Sequence, residues 1–529
     1  MNIEKSTDLI KKLLNSGVEE FCLCSGSRNA PLLAVLTRTQ KIKYYSFFDE
    51  RSAAFFALGR MQDTRKPVVV VCTSGTATAE ILPACIEAHY QNLPLVIISA
   101  DRPKRFRGTG SPQSIEQENL FSPYTEFNWD IDVNQKLPII QQHAFSKPIH
   151  INLCFEEPLF DQELSNSYDF SIEQRKELEA PTISSSVLEN FLNRKDSLLI
   201  ILGALTPSEQ NAAKEITQHL QAPIWAECLS GLREDRDLAQ QIIKSGENLL
   251  AKTPWKRVLR LGAVPSCRFW RDLERKSEID VCSISLEGFS GLARNSLNIS
   301  RSLNDFTETI KSMPPCPADD KFFHLDQLFR QQLQLLIGQY PRSEVALLSF
   351  LSQRIGDQSS VFLGNSLIIR EWNLGARYSV EKREYMANRG ANGIDGEIST
   401  YFGSTAKKRS LSWGIFGDIT ALYDLNAPWI LKQLGSKPHA VVVVNNQGGK
   451  LFSRVKDLSS LDEKTRKLVE LPHDIDFSSW AKMWGLDYLC VHEQEEFRVP
   501  VRSFVMEIKP DPIESQKFWS SYDKLWDAL

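Results

Sequence analysis

The stretch VVVVNNQGGKLF, residues 441–452, contains the pattern that decides the fold. Four consecutive valines predict a strand that is buried on both faces, as in the middle of a parallel sheet. The strand signal ends at two asparagines, a glutamine and two glycines. A second apolar run, SLSWGIF at residues 410–416, ends just as abruptly at Gly417 and Asp418, 27 residues before Asn445. We therefore expect two neighbouring parallel strands with polar residues at their ends.

Strand-like and helix-like segments alternate along the rest of the chain, most regularly in its first and last thirds. Strand, helix and strand in succession indicate βαβ units and parallel sheets. The pattern predicts the α/β class, with three doubly wound domains built on parallel central sheets. Pro- and Ser-rich segments at 180–186 and 311–320 read as linkers. The expected domains are residues 1–180, 187–312 and 322–529.

Composition excludes several functional classes. The chain has 529 residues, 42% hydrophobic and 24% charged, and a net charge of -4, so no general attraction to nucleic acid or anionic membranes is expected. No stretch approaches the ~20 apolar residues of a membrane span. Ten cysteines without a CxxC pair favour reduced thiols in a cytoplasmic protein, and the eight histidines lack zinc-ligand spacing.

The polar strand ends have the chemistry of a magnesium site. Ligands of open α/β sheets bind at the carboxyl ends of the strands, where Asp418 and Asn446 are expected. A carboxylate, an amide oxygen and a backbone carbonyl, here that of Gly448, are hard donors that suit Mg²⁺. A helix predicted to begin near Thr420 would direct its N-terminus toward a phosphate at the same place. The sequence thus predicts a site for a magnesium-bridged diphosphate.

This pattern resembles the diphosphate motif of thiamine diphosphate enzymes, with Ile419 in place of the motif's second glycine. Further motifs along the chain are CSGSRNAPLL, DERSAAFFALG, CTSGTATAE, SADRP, GSPQSIEQ, KPIHINLCFEEPL, GNSLIIR, NRGANGIDG and GDITALYDLNA. Their order resembles that of the MenD family, the 2-succinyl-5-enolpyruvyl-6-hydroxy-3-cyclohexene-1-carboxylate (SEPHCHC) synthases of menaquinone biosynthesis. The resemblance covers roughly residues 1–455 and is weakest in the middle domain and at the C-terminus.

The resemblance implies a transferase that uses thiamine diphosphate and Mg²⁺, with Mn²⁺ as a possible substitute. It would decarboxylate 2-oxoglutarate and add the resulting carbanion to isochorismate in a 1,4 sense. In the family the cofactor lies between the first domain of one subunit and the third domain of another. A homodimer or a dimer of dimers, with active sites at the subunit interface, is therefore expected.

The cofactor and metal residues follow from the matched motifs. Glu50 corresponds to the glutamate that hydrogen-bonds the aminopyrimidine ring, and burial would raise its pKa so that it can carry a proton. Without the motif, Glu50 would read as an ordinary acidic residue at a helix start. Ile394 matches the apolar residue that holds the cofactor bent. The remaining predicted cofactor residues are Gly417, Asp418, Ile419, Thr420, Asn446 and Gly448, of which Asp418, Asn446 and Gly448 bind the metal.

The predicted substrate residues are dominated by arginines, whose planar guanidinium groups suit bidentate binding of carboxylates. Both expected substrates are dianions. Any single arginine is more often a salt-bridged surface residue, but these occur at family positions. The set is Ser27, Arg28, Arg102, Gln113, Arg268, Ser366, Arg370, Arg389, Leu451 and Phe452.

One departure from the family affects this set. In VPSCRFW, Cys267 stands where the family commonly has a lysine, which removes one potential carboxylate contact beside Arg268. Three alternatives to the synthase are open. Another thiamine diphosphate enzyme, such as an acetolactate synthase, would lack the arginine motifs, and a non-catalytic relative would not need Glu50, Asp418 and Asn446 together. An ATP-binding protein would want a GxxxxGK[ST] loop, which the sequence lacks.

Overall fold

The chain folds into three parallel sheets in the computed structural model, which describes residues 1–140, 146–170, 186–378, 383–455, 458 and 460–527. This confirms the α/β class. The strands are β1 Glu20–Cys24, β2 Lys43–Phe47, β3 Val68–Cys72, β4 Leu95–Asp101, β5 Phe127–Ile131, β6 Ile149–Cys154, β7 Leu198–Leu202, β8 Ile224–Ala226, β9 Arg257–Leu261, β10 Asp280–Ser285, β11 Leu297–Ser300, β12 Ser360–Leu363, β13 Glu384–Met386, β14 Ser412–Gly417, β15 His439–Val444, β16 Asp487–Val491 and β17 Phe504–Ile508.

Helices connect most of the strands, as parallel pairing requires. The helices are α1 Asn2–Asn15, α2 Ala30–Leu36, α3 Glu50–Thr64, α4 Thr76–Ala79, α5 Leu82–Tyr90, α6 Ser186–Leu192, α7 Pro207–Leu220, α8 Asn248–Lys252, α9 Arg268–Asp272, α10 Thr307–Lys311, α11 Asp320–Gln339, α12 Glu344–Arg354, α13 Leu367–Gly375, α14 Glu397–Thr405, α15 Asp418–Tyr423, α16 Glu463–Glu470, α17 Ser478–Trp484 and α18 Pro512–Leu525. No helix among the described residues is long and apolar enough to cross a membrane.

The first and third sheets have the same strand order. The first runs β2-β1-β3-β4-β6-β5 and the third runs β13-β12-β14-β15-β17-β16, while the second runs β11-β10-β9-β7-β8. In each of the two larger sheets the order reverses between its first and third strands in the chain. The crevice outside the carboxyl ends of these two strands is the usual ligand position in such a sheet.

The chain divides into two compact units. The first consists of Met1–Ala180, Asn388–Arg409 and Thr420–Ser436, and it contains the first sheet. In this unit α14 lies directly on α3, because glycines allow the two backbones to approach. A Cβ atom on Gly59 would lie 2.0 Å from the carbonyl oxygen of Thr400, and one on Gly403 would lie 2.1 Å from that of Phe56.

The second unit consists of Pro181–Ala387, Ser410–Ile419 and Lys437–Leu529, and it contains the second and third sheets. Strand β15 is buried along its whole length, as the four valines predict. The predicted boundaries of three domains remain predictions. The linker predicted at 180–186 lies, apart from Ser186, outside the described residues, and 314–319 of the other is irregular before α11.

Candidate functional site

The two polar strand ends lie side by side, at the carboxyl ends of two central strands of the third sheet. Strands β14 and β15 pair in parallel with Gly417 opposite Val444, so Asp418 and the Asn445–Asn446 pair follow adjacent strand ends. The expected adjacency is confirmed. Helix α15 begins at Asp418 itself, two residues before the predicted start near Thr420. Asp418 and Thr420 are buried, whereas Gly417 and Ile419 are half-buried.

Asp418 is a buried carboxylate held by backbone groups. One oxygen, Oδ1, accepts the N–H of Ile419 at 2.7 Å, and Oδ2 accepts the N–H of Gly448 at 2.9 Å. The Nε2 atom of His473 lies 3.2 Å from Oδ2. Burial raises the pKa of Asp418 against the opposing effect of these partners. A cation at this carboxylate would offset the cost of burying its charge.

Asn446 presents an unsatisfied oxygen at the same place. Its Nδ2 group donates to both carboxyl oxygens of Glu344, at 3.2 and 2.9 Å. Its Oδ1 atom is buried and has no hydrogen-bond partner among the described residues. Because buried polar atoms are normally satisfied, this orphaned oxygen indicates a missing ligand.

The backbone at Gly448 completes the donor set. Its φ of 138° favours glycine, and a Cβ atom there would lie 2.5 Å from the carbonyl oxygen of Glu470. A carboxylate, an amide oxygen and a backbone carbonyl oxygen are what Mg²⁺ prefers. The residues present therefore fit the predicted metal. Sequence reasoning missed Glu344 and His473, although Ser343 before Glu344 is a recognisable helix N-cap.

Loops of the first unit converge outside β1 and β3, where the order of the first sheet reverses. A Cβ atom on Gly26 would lie 2.3 Å from the Cβ atom of Thr73, so the SGSR loop lies against the TSG turn. Gly75 in that turn has a φ of 84°, and its N–H donates to the Gln117 side chain at 2.7 Å. A Cβ atom on Gly75 would lie 3.4 Å from Gln113.

The predicted arginines of this region differ in how they are held. Arg28 is buried and its guanidinium donates to Glu157 at 3.0 Å, while the preceding Ser27 is exposed. The Nε atom of Arg102 donates to the carbonyl oxygen of Pro112 at 2.9 Å, one residue before Gln113. The loop after β4 is thus tied to the loop that carries Gln113.

Glu50 begins α3 in the first unit. Asp49 caps this helix by accepting the N–H of Ser52 at 2.9 Å, and its other oxygen accepts the amide of Asn426 at 2.8 Å. Glu50 is half-buried, and burial raises its pKa, with further increases from Asp49 and Glu80. The direction is the one expected for a proton-carrying carboxyl group.

The NRGANGIDG turn is anchored by a glutamate that the sequence did not single out. The carboxyl group of Glu87, buried in α5, accepts the backbone N–H groups of Gly390, Ala391 and Asn392 at 2.6, 2.7 and 3.2 Å. Residues Arg389 and Ile394 on this turn are half-buried. The turn is therefore fixed relative to α5.

Gly396 ends this turn against α3. It has a φ of 66°, and a Cβ atom there would lie 1.9 Å from the ring of Phe55. Phe55 lies five residues after Glu50 in the same helix. The turn that carries Ile394 is thus packed on the helix that carries Glu50, and both belong to the first unit.

Three predicted substrate residues of the second unit line one cavity of about 310 Å³, which we call the arginine cavity. They are Arg268, Arg370 and Leu451. Ser366, which has a φ of 65°, precedes α13, and its carbonyl oxygen accepts a hydrogen bond from Arg370. A larger cavity of about 780 Å³ is lined by Phe452 and Asn446 among others. The predicted residues Ser27, Arg28, Arg102, Gln113 and Arg389 belong to the first unit.

Known proteins are similar to this chain over nearly its whole length. Residues 4–120 match the family of thiamine pyrophosphate enzymes, N-terminal TPP binding domain. Curated relatives are named 2-succinyl-5-enolpyruvyl-6-hydroxy-3-cyclohexene-1-carboxylate synthase. One from Bdellovibrio bacteriovorus is 38% identical over 99% of both chains. Another from Akkermansia muciniphila is 38% identical over 92% of both, and one from Bacillus pumilus is 28% identical over 94% of this chain and 92% of the relative.

Proposed function

The chain belongs to the family of 2-succinyl-5-enolpyruvyl-6-hydroxy-3-cyclohexene-1-carboxylate synthases, and from that premise we propose how its residues carry out the reaction. The protein is a thiamine diphosphate-dependent transferase of menaquinone biosynthesis. It decarboxylates 2-oxoglutarate and joins the remaining four-carbon unit to isochorismate, releasing carbon dioxide. For the position of the site, the observation that carries the proposal is the orphaned Oδ1 of Asn446 beside the buried carboxylate of Asp418.

In this proposal Asp418, the Oδ1 atom of Asn446 and the carbonyl oxygen of Gly448 hold Mg²⁺ or Mn²⁺. The backbone at Gly417, Ile419 and Thr420 would help to hold the diphosphate, and Ile394 would contact the cofactor with its apolar side chain. Thiamine diphosphate, when bound, accepts the electron pair that decarboxylation leaves behind.

Glu50 is the proposed catalytic residue. Its carboxyl group would hold a proton and hydrogen-bond the aminopyrimidine ring of thiamine diphosphate. The raised pKa of Glu50 supports this role, because a carboxyl group must keep its proton near neutral pH to donate it.

The proposed substrate residues neutralise and orient the carboxylates of the two dianions. Arg268 and Arg370 do so in the arginine cavity, which Leu451 borders with an apolar side chain. The other proposed contacts are Ser27, Arg28, Arg102, Gln113, Ser366, Arg389 and Phe452.

We further propose a homodimer or dimer of dimers in the cytoplasm, with each active site shared between subunits. Glu50 of one subunit would then act on a cofactor held by Asp418 of the other. Residues 1–180, 187–312 and 322–529 would be the pyrimidine-binding, central and diphosphate-binding domains.

The test is the consumption of isochorismate by the purified protein with 2-oxoglutarate, Mg²⁺ and thiamine diphosphate, omitting each in turn. We expect loss of isochorismate only with all three, and a decrease of at least about 100-fold in Glu50→Gln, which cannot carry the proton. Release of carbon dioxide from 2-oxoglutarate with isochorismate untouched would refute the acceptor. Binding of thiamine diphosphate without turnover of either substrate would refute catalysis.

A further inference from the structure

The arginine cavity contains more positive side chains than the predicted substrate residues account for. Besides Arg268 and Arg370, it is lined by Arg271 and Arg454. Four guanidinium groups around about 310 Å³ form a site suited to an anion, since each is charged at any physiological pH.

The carboxyl groups of the cavity do not cancel this charge. Glu247 and Glu371 line it; Glu371 is fully buried and Glu247 is half-buried. Burial raises the pKa of Glu247 to about 7, and it raises the pKa of Glu371 well above the usual range. Both groups are therefore wholly or partly neutral near pH 7, so they do not fully offset the charge of those arginines that lack an acidic partner.

The four arginines differ in their partners. Arg268 donates to Asp272 at 2.8 Å, and Arg370 donates to the carbonyl oxygen of Ser366. Arg454 binds both carboxylate oxygens of Asp523, at 2.9 and 3.1 Å.

Of these four side chains, only that of Arg271 forms no hydrogen bond or ion pair with any residue that the structure describes. Its side chain is exposed to solvent, so an unpaired charge at this position costs little free energy when no ligand is bound. A guanidinium without an internal partner, at the rim of an anion-suited cavity, is available to bind a carboxylate.

The position of Arg271 relates it to Cys267. Cys267 is buried, it caps the N-terminus of α9, and it lines the same cavity. Burial raises the pKa of its thiol well above the usual range, so it contributes no charge. Arg271 lies four residues later, within α9, and lines the same cavity at its exposed rim.

We propose that Arg271 is a further substrate-binding residue, which supplies the cationic carboxylate contact that Cys267 cannot make. This inference rests on the proposed function. The ligand is a carboxylate of 2-oxoglutarate or isochorismate that lies away from the reacting carbon, so Arg271 acts in binding and specificity.

The test is steady-state kinetics of the holoenzyme with each substrate varied in turn. We expect Arg271→Gln to raise KM for one of the two substrates about 10-fold, since a charge-assisted hydrogen bond is lost. The kcat should stay within about twofold, because this contact is equal in the ground and transition states. The KM of Arg271→Lys should lie between those of the unaltered enzyme and of Arg271→Gln.

Two further variants make the test specific. Arg275→Gln removes a neighbouring exposed arginine that does not line the cavity, and it should leave both KM values unchanged. Cys267→Lys in the Arg271→Gln background should restore part of the lost affinity, because it returns a cation to the lining of the same cavity.

An unchanged KM for both substrates in Arg271→Gln would overturn the inference and leave the proposed function intact. An equal rise in Arg275→Gln would also overturn it, since it would indicate a general effect of surface charge. Absence of turnover by the unaltered chain would overturn both proposals.

Discussion

The amide group of Asn446 shows how one side chain can set the direction of a metal ligand. An amide has a donor end and an acceptor end, and only the acceptor can bind a cation. Glu344 takes up the donor end with both carboxyl oxygens, so Oδ1 is left to face away from it. Glu344 is thus a positioning residue for the proposed Mg²⁺ site.

We expect Glu344→Gln to weaken binding of Mg²⁺ and thiamine diphosphate by about 10-fold, as is typical for the partner of a metal ligand. The glutamine can present its own N–H₂ group to Asn446 and so permit the amide to turn over. Calorimetric titration of the purified protein measures this without any assay of activity. Glu463→Gln, at an exposed position in α16, is the control and should bind normally. Equal affinity in the two variants would remove Glu344 from the site.

The contact between helices α3 and α14 depends on glycines, which have no side chain to separate the two backbones. Gly59→Ala would place a methyl group 2.0 Å from the carbonyl oxygen of Thr400, which is backbone and cannot rotate away. We expect a loss of at least about 2 kcal/mol in the free energy of unfolding. It should be visible as a lower thermal midpoint.

The matched substitution is Gly338→Ala in α11, where a Cβ atom would meet nothing within 4 Å. It should be neutral or stabilising by up to about 1 kcal/mol, because alanine favours the helix. If Gly59→Ala were as harmless as Gly338→Ala, the close packing of α3 on α14 would be wrong.

Strand β6 carries a buried histidine that makes stability depend on pH. His150 is fully buried, and its Nε2 atom lies 2.7 Å from the Ser99 hydroxyl oxygen. Burial lowers the pKa of His150 to about 3. Between pH 6.5 and 3 the unfolded chain therefore binds a proton that the folded chain does not, so stability falls as the pH falls.

From pH 7 to pH 5 this residue should cost about 2 kcal/mol of the free energy of unfolding. The urea midpoints at pH 7 and pH 5 should differ less in His150→Gln than in the unaltered chain. This holds even if the substitution lowers stability at pH 7. His492→Gln, at an exposed histidine, should keep the full difference. A pH dependence that is the same in His150→Gln as in the unaltered chain would contradict a neutral, buried His150.

The elements that could be predicted from the sequence are those whose burial is nearly uniform. Strand β15 is such a case, since apolar residues throughout a short run indicate a central parallel strand. Strands β5, β11 and β16 were not predicted. Each lies at the edge of its sheet, and their partly exposed residues include polar ones that weaken the pattern.

In the candidate site, a residue could be predicted only where a local sequence signal marks it. Asp418 and Asn446 were predicted because each directly follows a strong strand signal. Glu87 was not, because its role depends on a contact with Gly390, 303 residues away in the sequence. Glu344 is similar, since it reaches Asn446 across 102 residues. Partners brought together by tertiary packing leave no local pattern to read.

On the scale of the whole molecule, the first and third sheets place different chemistry at equivalent positions. After the first strand of each lie Gly26 and Ser366, and after the third lie Gly75 and Asp418. Alternating segments predicted parallel sheets in both, but not the shared strand order, which is set by how the crossovers pack. In the proposed function, residues after the strands of the first sheet would bind substrate, and residues after strands of the third sheet would bind both substrate and the metal.

The proposed sharing of active sites between subunits leads to a test on mixtures of inactive variants. Glu50→Gln and Asp418→Ala should each be inactive alone, since one lacks the proton-carrying carboxyl and the other a metal ligand. In a mixed dimer, one site combines both defects and the other combines an intact Glu50 with an intact Asp418. Random pairing makes half of the dimers mixed, so co-expression of the two should restore about a quarter of the activity.

This restoration distinguishes shared sites from sites built within one subunit. If each subunit carried its own Glu50 and Asp418 to the same cofactor, every site in the mixture would have one defect, and activity would stay near zero. Co-expressing two tagged copies of Glu50→Gln controls for the procedure and should remain inactive. Tandem affinity purification through two tags would isolate the mixed dimers, whose activity should rise to about half that of the unaltered protein.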